Sequence, residues 1–348
     1  MNSALIQPHP TRANIHAHRP KLLHAKRFVE TKNLSQAEWL EVRRQGIGSS
    51  DCAAACGLNP YMSMLELWMI KTGRIQQSIE DESEGHAPLY WGKRLEPLVA
   101  EYYSMHTNYK VRRVNAVLQH PEPDKHFMLA NLDREVITES GTGILEIKTA
   151  GFYSALQWED GVPVAYQCQV LHQLAVTGHV WADVAVLIAG QEFRIYRIER
   201  DDDKIADLIQ REAQFWSWVT NDQQPDPDGS YDAQQALLSL FPTDNGQTLD
   251  FSESGPFNDL FAELLILRHR KEDIEQQEST LKHRIQAALG SATAAIFQQG
   301  KVTWRKAKDR LVPDLDRLSQ EHPELLQQYA KAVPGARRFI IQPARSSS

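Results

Sequence analysis

Apolar positions along the chain change period more than once. Over residues 35 to 106 they recur every three to four residues, the spacing of one helix face. Ser35 and Glu38 stand at capping-box spacing ahead of a helix that runs through Arg44. Gly46-Ile-Gly48 reads as a turn. Ser50 and Asp51 cap a short helix over 52–56, which Gly57-Leu-Asn-Pro60 ends. A second short amphipathic helix over 64–72 stops at Gly73, and 76–88 is a polar acidic loop. The helix over 91–106 carries Leu95, Leu98, Val99 and Tyr102 on one face. The period then falls to two. Strands are expected at 110–119, 127–131, 134–138 and 143–149, with helices at 153–159 and 164–177. A hairpin over 181–188 and 192–199 turns at Ala189-Gly190-Gln191, and an amphipathic helix over 201–219 closes the unit.

Residues 1–34 form a mobile basic tail rich in proline and polar residues, including His9, His16, His18 and His24. A globular unit occupies 35–220, and the Pro/Asp/Gly-rich stretch 221–254 is a linker. The C-terminal module, 255–348, begins with a helix over 257–289, continuous or folded as a helical hairpin. Leu260, Leu264, Leu267, Ile274, Leu281 and Ile285 form its apolar stripe. A turn at Gln298-Gln-Gly300 introduces a small β-hairpin.

With 348 residues, 42% of them hydrophobic and 24% charged, the chain can build a core of ordinary globular balance. No apolar run reaches the ~20 residues of a membrane span, and the N-terminus has no apolar segment of a secretory signal. Three cysteines, an odd number, fit a reducing cytoplasm. The net charge of −7 removes bulk electrostatics as a basis for nucleic-acid binding, so any such contact must be local. There is no G-x-x-x-x-G-K-[ST] phosphate loop, no H-E-x-x-H and no C-x-x-C pair. Cys52 and Cys56, four residues apart, read as small buried residues, because no third and fourth ligand follow at metal-site spacing.

The informative stretch is Leu132-Asp133, followed after a short hairpin by Leu145-Glu146-Ile147-Lys148. In a strand, Leu145 and Ile147 face the core while Glu146 and Lys148 share the other side. The hairpin brings Asp133 beside Glu146. Two carboxylates meeting at one point need a proton or a cation between them. Oxygen ligands favour Mg²⁺ or Mn²⁺, and a lysine on the same face places the attacking water. That is the equipment for phosphodiester hydrolysis. A solvated strand face with cross-strand ion pairs accounts for this segment alone equally well.

Three further segments stand in order around it: Trp39-Leu-Glu-Val-Arg43 with Gly46-Ile-Gly-Ser-Ser50-Asp51, Trp91-Gly-Lys-Arg-Leu-Glu96, and Tyr166-Gln-Cys-Gln169. Together these motifs resemble the YqaJ/lambda-exonuclease family of phage recombination nucleases, a branch of the PD-(D/E)xK superfamily, over residues 35–220. The resemblance implies a restriction-endonuclease-like α/β core, a central mixed sheet flanked by helices, with a C-terminal helical module. It implies a Mg²⁺-dependent 5′→3′ exonuclease that resects duplex DNA ends in the cytoplasm of a phage-bearing host. Its implied partners are a single-strand annealing protein and further copies of itself in a ring-shaped trimer.

By the same resemblance Asp133, Glu146 and the Ile147 carbonyl bind metal, and Glu96 completes the site through a second ion. Lys148 orients the water, Gln169 supports it, and Arg43 and Ser50 hold the DNA 5′-phosphate. Arg44 is the alternative to Arg43. The chain departs from the pattern at Arg134, where glycine is common, and at Leu171, where a second glutamine is expected. An endonuclease and an inactive DNA-binding scaffold are the rival readings.

Overall fold

The structure is a computed structural model that describes residues 25–76, 88–333 and 335–343. The first 24 residues of the expected tail and most of the acidic loop lie outside these. Contacts divide the chain into two units, Met1–Leu240 and Phe241–Ser348.

The first unit is built on two sheets. Strand β1 (Lys26–Glu30) precedes helix α1 (Gln36–Arg44), where Ser35 and Glu38 form the expected capping box. A two-residue strand β2 (Ile47–Gly48) leads to a single helical turn, α2 (Cys52–Ala55), and to α3 (Met64–Lys71). Helix α3 is buried nearly all round rather than amphipathic, with Leu65, Leu67, Trp68, Met69 and Ile70 all in the interior. Helix α4 spans Pro88–Thr107. It buries Val99, Ala100 and Tyr103 and leaves Leu98 and Tyr102 exposed, so its inner face is turned from the expected one. Tyr102 instead packs edge-on against Phe193, with ring centroids 4.7 Å apart.

The stretch 110–119 is not one strand. It gives β3 (Lys110–Arg112) to one sheet and β4 (Ala116–Gln119) to the other. Strand β5 (Met128–Ala130) joins β1, β4 and β2 in a four-stranded sheet ordered β1-β4-β5-β2. The remaining strands are β6 (Arg134–Thr138), β7 (Gly141–Ala150), β8 (Trp181–Ile188) and β9 (Glu192–Glu199), and the second sheet runs β3-β6-β7-β8-β9. Only β7 and β8 are parallel in it, and helix α5 (Val164–Thr177) makes the crossover between them. Gly178 ends α5 in the left-handed conformation, a cap that favours glycine.

This sheet is covered on both faces. On one side Leu145 and Ile147 of β7 pack with Val99, Ala100 and Tyr103 of α4. On the other, α5 and α6 (Asp202–Thr220) cover the larger core. Within 221–254, read as linker, Tyr231–Leu240 folds into helix α7 and buries Ala233 and Ala236. Asp232 of α7 accepts from the Ser63 backbone N–H at 2.5 Å, which ties it to the start of α3. The sequence between 153 and 159 forms 3₁₀ turns over Phe152–Trp158.

In the second unit, α8 is one continuous helix over Gly255–Leu289. Leu260, Leu267, Ile274 and Leu281 recur along it at seven-residue spacing, all exposed. Strands β10 (Ala294–Phe297) and β11 (Gly300–Thr303) pair antiparallel, followed by helices α9 (Leu315–Glu321) and α10 (Pro323–Tyr329).

One glycine lets β7 pass close to Trp181, the first residue of β8. A Cβ on Gly143 would sit 2.4 Å from the indole of Trp181. The indole is itself pinned by the Arg197 guanidinium, 3.9 Å above its ring. Gly143→Ala is therefore expected to cost about 1–3 kcal/mol through overpacking, read as a lowered denaturation midpoint.

Candidate active site

The antiparallel pairing of β6 and β7 sets Arg134 across from Leu145. That register carries Asp133, one residue before β6, to the level of Glu146. Asp133 is fixed there because the backbone N–H of Ile147 donates to its Oδ2 at 2.8 Å. Alternation along β7 sends Leu145 and Ile147 toward α4, and sends Glu146 and Lys148 together toward α5.

Helix α5 meets that second face with amides. Gln169 and Gln173, one helical turn apart, donate to the two oxygens of Glu146 at 2.6 and 2.7 Å. Lys148 Nζ donates to Glu146 Oε1 at 2.6 Å and to Gln169 Oε1 at 3.0 Å. The Tyr166 ring lies 4.8 Å from the same ammonium. Burial opposes charge on Lys148, but Glu146 and Asp133 overcome it and hold its pKa above the ordinary lysine value. Asp133 goes the other way. Burial and the neighbouring Glu146 push its carboxyl up to about 8. Without another cation the pair carries a proton near neutrality, so the place is built for positive charge. Its donors are hard carboxylate oxygens, which suit Mg²⁺ or Mn²⁺.

The structure brings Asp133, Glu146, Lys148 and Gln169 together. It adds Gln173, which the sequence reading did not single out. Leu171 stands where a second glutamine was expected, and its side chain packs in the core instead. The i, i+4 spacing of Gln169 and Gln173 was the available signal.

Glu96 reaches the neighbourhood from α4, on the opposite face of the sheet. Its carboxylate is taken by Arg134 at 2.5 Å, and the same guanidinium nitrogen donates to the Asp133 backbone carbonyl. Glu96 adds to the negative field on Asp133. Arg134 is thus a built-in counter-ion to the third carboxylate, Glu96.

Arg43 turns inward and Arg44 does not. Arg44 pairs with Glu41 on the surface. Arg43 donates to Ser50 Oγ at 3.1 Å, stacks over Trp39 and pairs with the buried Asp51. Lys71, also buried, donates to Asp51 at 2.6 Å and to the Arg43 carbonyl at 2.7 Å. Burial alone would raise the Asp51 pKa, but Arg43 and Lys71 hold it down at about 2. Ser50 does not cap α2. Asp51 occupies the cap position, and its carboxylate accepts from the Gly48 N–H instead. A cavity of about 140 Å³ runs past Arg43, Ser49 and Ser50 to Asp133 and Gln169, so the cationic corner and Asp133 share one opening.

Residues 38–180, which hold every one of these groups, match the family model of the YqaJ-like viral recombinase domain. The uncharacterized protein YqaJ of Bacillus subtilis (strain 168) is 32% identical over 323 residues, 91% of this chain and 98% of that protein. The chain belongs to the YqaJ-like viral recombinase family. The similarity to the Bacillus relative extends well beyond the residues that the family model covers. Two solved structures are also similar. An alkaline exonuclease from Laribacter hongkongensis is 23% identical, with a TM-score of 0.44, over 54% of this chain and 94% of that one. A phage-related exonuclease from Haemophilus somnus 129PT is 10% identical, with a TM-score of 0.38, over 53% of this chain and 99% of that one. Among the described residues no helix is long and apolar enough to cross a membrane.

Asp51 is the residue on which the cationic corner of this recombinase-family chain depends. Asp51→Asn leaves Arg43 and Lys71 buried against a neutral amide, and a loss of about 3–5 kcal/mol in chemical denaturation is expected. The wild-type contribution is present above the ordinary aspartate value of 3.8 and is lost as pH falls toward about 2. Stability measured across that interval should fall in the wild type and be flatter in Asp51→Asn.

Proposed function

We propose that this chain is a divalent-metal-dependent deoxyribonuclease of phage-type recombination, which hydrolyses phosphodiester bonds from the 5′ ends of duplex DNA. The observation that carries the reading is the convergence of Asp133, Glu146, Lys148 and Gln169 on one face of β7. Asp133, Glu146 and the carbonyl of Ile147 hold the metal, with Glu96 as the carboxylate toward a second ion. The bound cations supply Lewis acidity to the phosphoryl group and lower the pKa of the attacking water.

The protein's own groups do the rest. Lys148 stays an ammonium and faces the charge that builds on the phosphate. Gln169 fixes the direction of that ammonium. Gln173 and Gln169 occupy both oxygens of Glu146, so the carboxylate cannot rotate away from the cleft. Arg43, pre-set by Asp51, and Ser50 take the terminal 5′-phosphate at the other end of the shared opening. Holding the terminus there places the next phosphodiester at the carboxylates, which favours stepwise removal from an end over internal cutting.

The acidic chain engages DNA through this local cationic corner and not through net charge. Assembly into a homotrimeric ring around the duplex would keep it on its substrate without tight binding. The single strand it leaves is the substrate of a single-strand annealing protein, the partner of the reaction.

Digestion of 5′-phosphorylated linear duplex and of covalently closed circles, with Mg²⁺ or with EDTA, tests the proposal. Loss of the 5′ strand from linear DNA only, abolished by EDTA, is expected. Lys148→Ala should lower the rate by about 10²–10³-fold. Gln173→Leu should lower it by about 10–100-fold, with DNA binding retained. Cutting of closed circles would make the enzyme an endonuclease, and binding without hydrolysis would make it a scaffold.

A further inference from the structure

Behind the cleft, in the core of the first unit, lies a group that the proposed hydrolysis does not use. Cys52 opens α2, His172 lies on α5 and Glu212 lies on α6, and all three are fully buried. A sulfur, an imidazole nitrogen and a carboxylate oxygen, one from each, lie within 4.8 Å of one another. His172 Nε2 meets the backbone carbonyl of Leu129 at 2.9 Å, and its Nδ1 faces Glu212 Oε1 at 2.6 Å. A ring that donates from Nε2 to a carbonyl is oriented as metal-binding histidines are, with Nδ1 and the proton it shares with Glu212 directed inward. Glu212 Oε2 is buried with no hydrogen-bond partner among the described residues, an orphaned acceptor. The free thiols of Cys56 and Cys168 are buried in the same core cluster.

We propose that Cys52, His172 and Glu212 bind a zinc ion, with the unpartnered Oε2 of Glu212 closing the fourth position. Sulfur and imidazole donors select Zn²⁺ over the hard cations that suit Asp133 and Glu146. One thiolate, one carboxylate and a neutral imidazole balance the divalent charge, so the buried centre of those three is electrically neutral. On binding, the ion replaces the Cys52 thiol proton and the proton shared by His172 and Glu212, and both go to solvent. The site is closed and structural. It joins α2, which directly follows the Asp51 that positions Arg43, to α5, which carries Gln169 and Gln173. The zinc therefore holds the phosphate corner and the carboxylate corner at a set separation. Spacing in the sequence hides the site, because His172 and Glu212 lie more than a hundred residues from Cys52 and on other helices.

The test uses the full-length chain without a histidine tag, desalted through EDTA. About one zinc per chain by mass spectrometry is expected to survive in the wild type, and none in Cys52→Ser or His172→Ala. Cobalt exchanged into the wild type should show thiolate-to-cobalt charge-transfer absorption. That band should persist in Glu146→Gln, which alters only the hydrolytic site, and disappear in Cys52→Ser. The histidines near the N-terminus cannot produce it. A folded wild type that holds no zinc, or whose cobalt spectrum lacks the sulfur band, overturns the proposal and leaves a buried His–Glu pair. Both results stand whether or not the chain cuts DNA, and the wild-type spectrum decides the matter even if the variants do not fold.

Discussion

Two acidic side chains brought to one buried point impose the constraint that organises the first unit. Asp133 and Glu146 repel each other where burial weakens the screening by water. Three kinds of neighbour answer that repulsion. The Ile147 N–H fixes one carboxylate, two glutamine amides fix the other, and Lys148 supplies a positive charge beside both. Asp133 is the member of the pair that faces the cleft. A strand face meant only for solvent would not be covered by a helix that spends two glutamines, one of them fully buried, on one carboxylate.

The same logic recurs a few residues away with the signs reversed. Arg43 and Lys71 converge on the single buried Asp51, which leaves net positive charge beside Ser50. An anionic terminus is drawn to that corner and a cation to the other. The two corners are carried by different secondary elements, α1 with the turn after it on one hand and the β6–β7 hairpin on the other. Their separation is set by the core between them, where α2 packs on α5. Binding chemistry at the surface of the cleft is thus only as well defined as the packing behind it.

Much of this was legible in the chain. The capping box at Ser35, the strand pair around Asp133 and Glu146, the crossover helix over 164–177 and the hairpin over 181–199 all follow from local period and turn chemistry. Asp133, Glu146, Lys148 and Gln169 were named from the strand alternation and the family resemblance, and the fold places them in contact. The rest depended on partners that periodicity does not see. The alternation over 110–119 is genuine, but it cannot show that the chain leaves one sheet at Arg112 and enters another at Ala116. Helix α3 lacks a polar face because it is enclosed on all sides, and the inner face of α4 is set by Glu96 finding Arg134 as well as by its apolar residues. Gln173 and Lys71 read as ordinary polar residues until the tertiary fold gives each a buried carboxylate.

The central claim is that the Asp133–Glu146 pair is a seat for a divalent cation. Anomalous diffraction from crystals soaked in Mn²⁺ tests it directly. A peak within bonding distance of the Asp133 and Glu146 carboxylates and the Ile147 carbonyl, lost in Glu146→Gln crystals, is the predicted result. An ordered, unoccupied pair at saturating Mn²⁺, with Lys148 still bonded across it, would contradict the account.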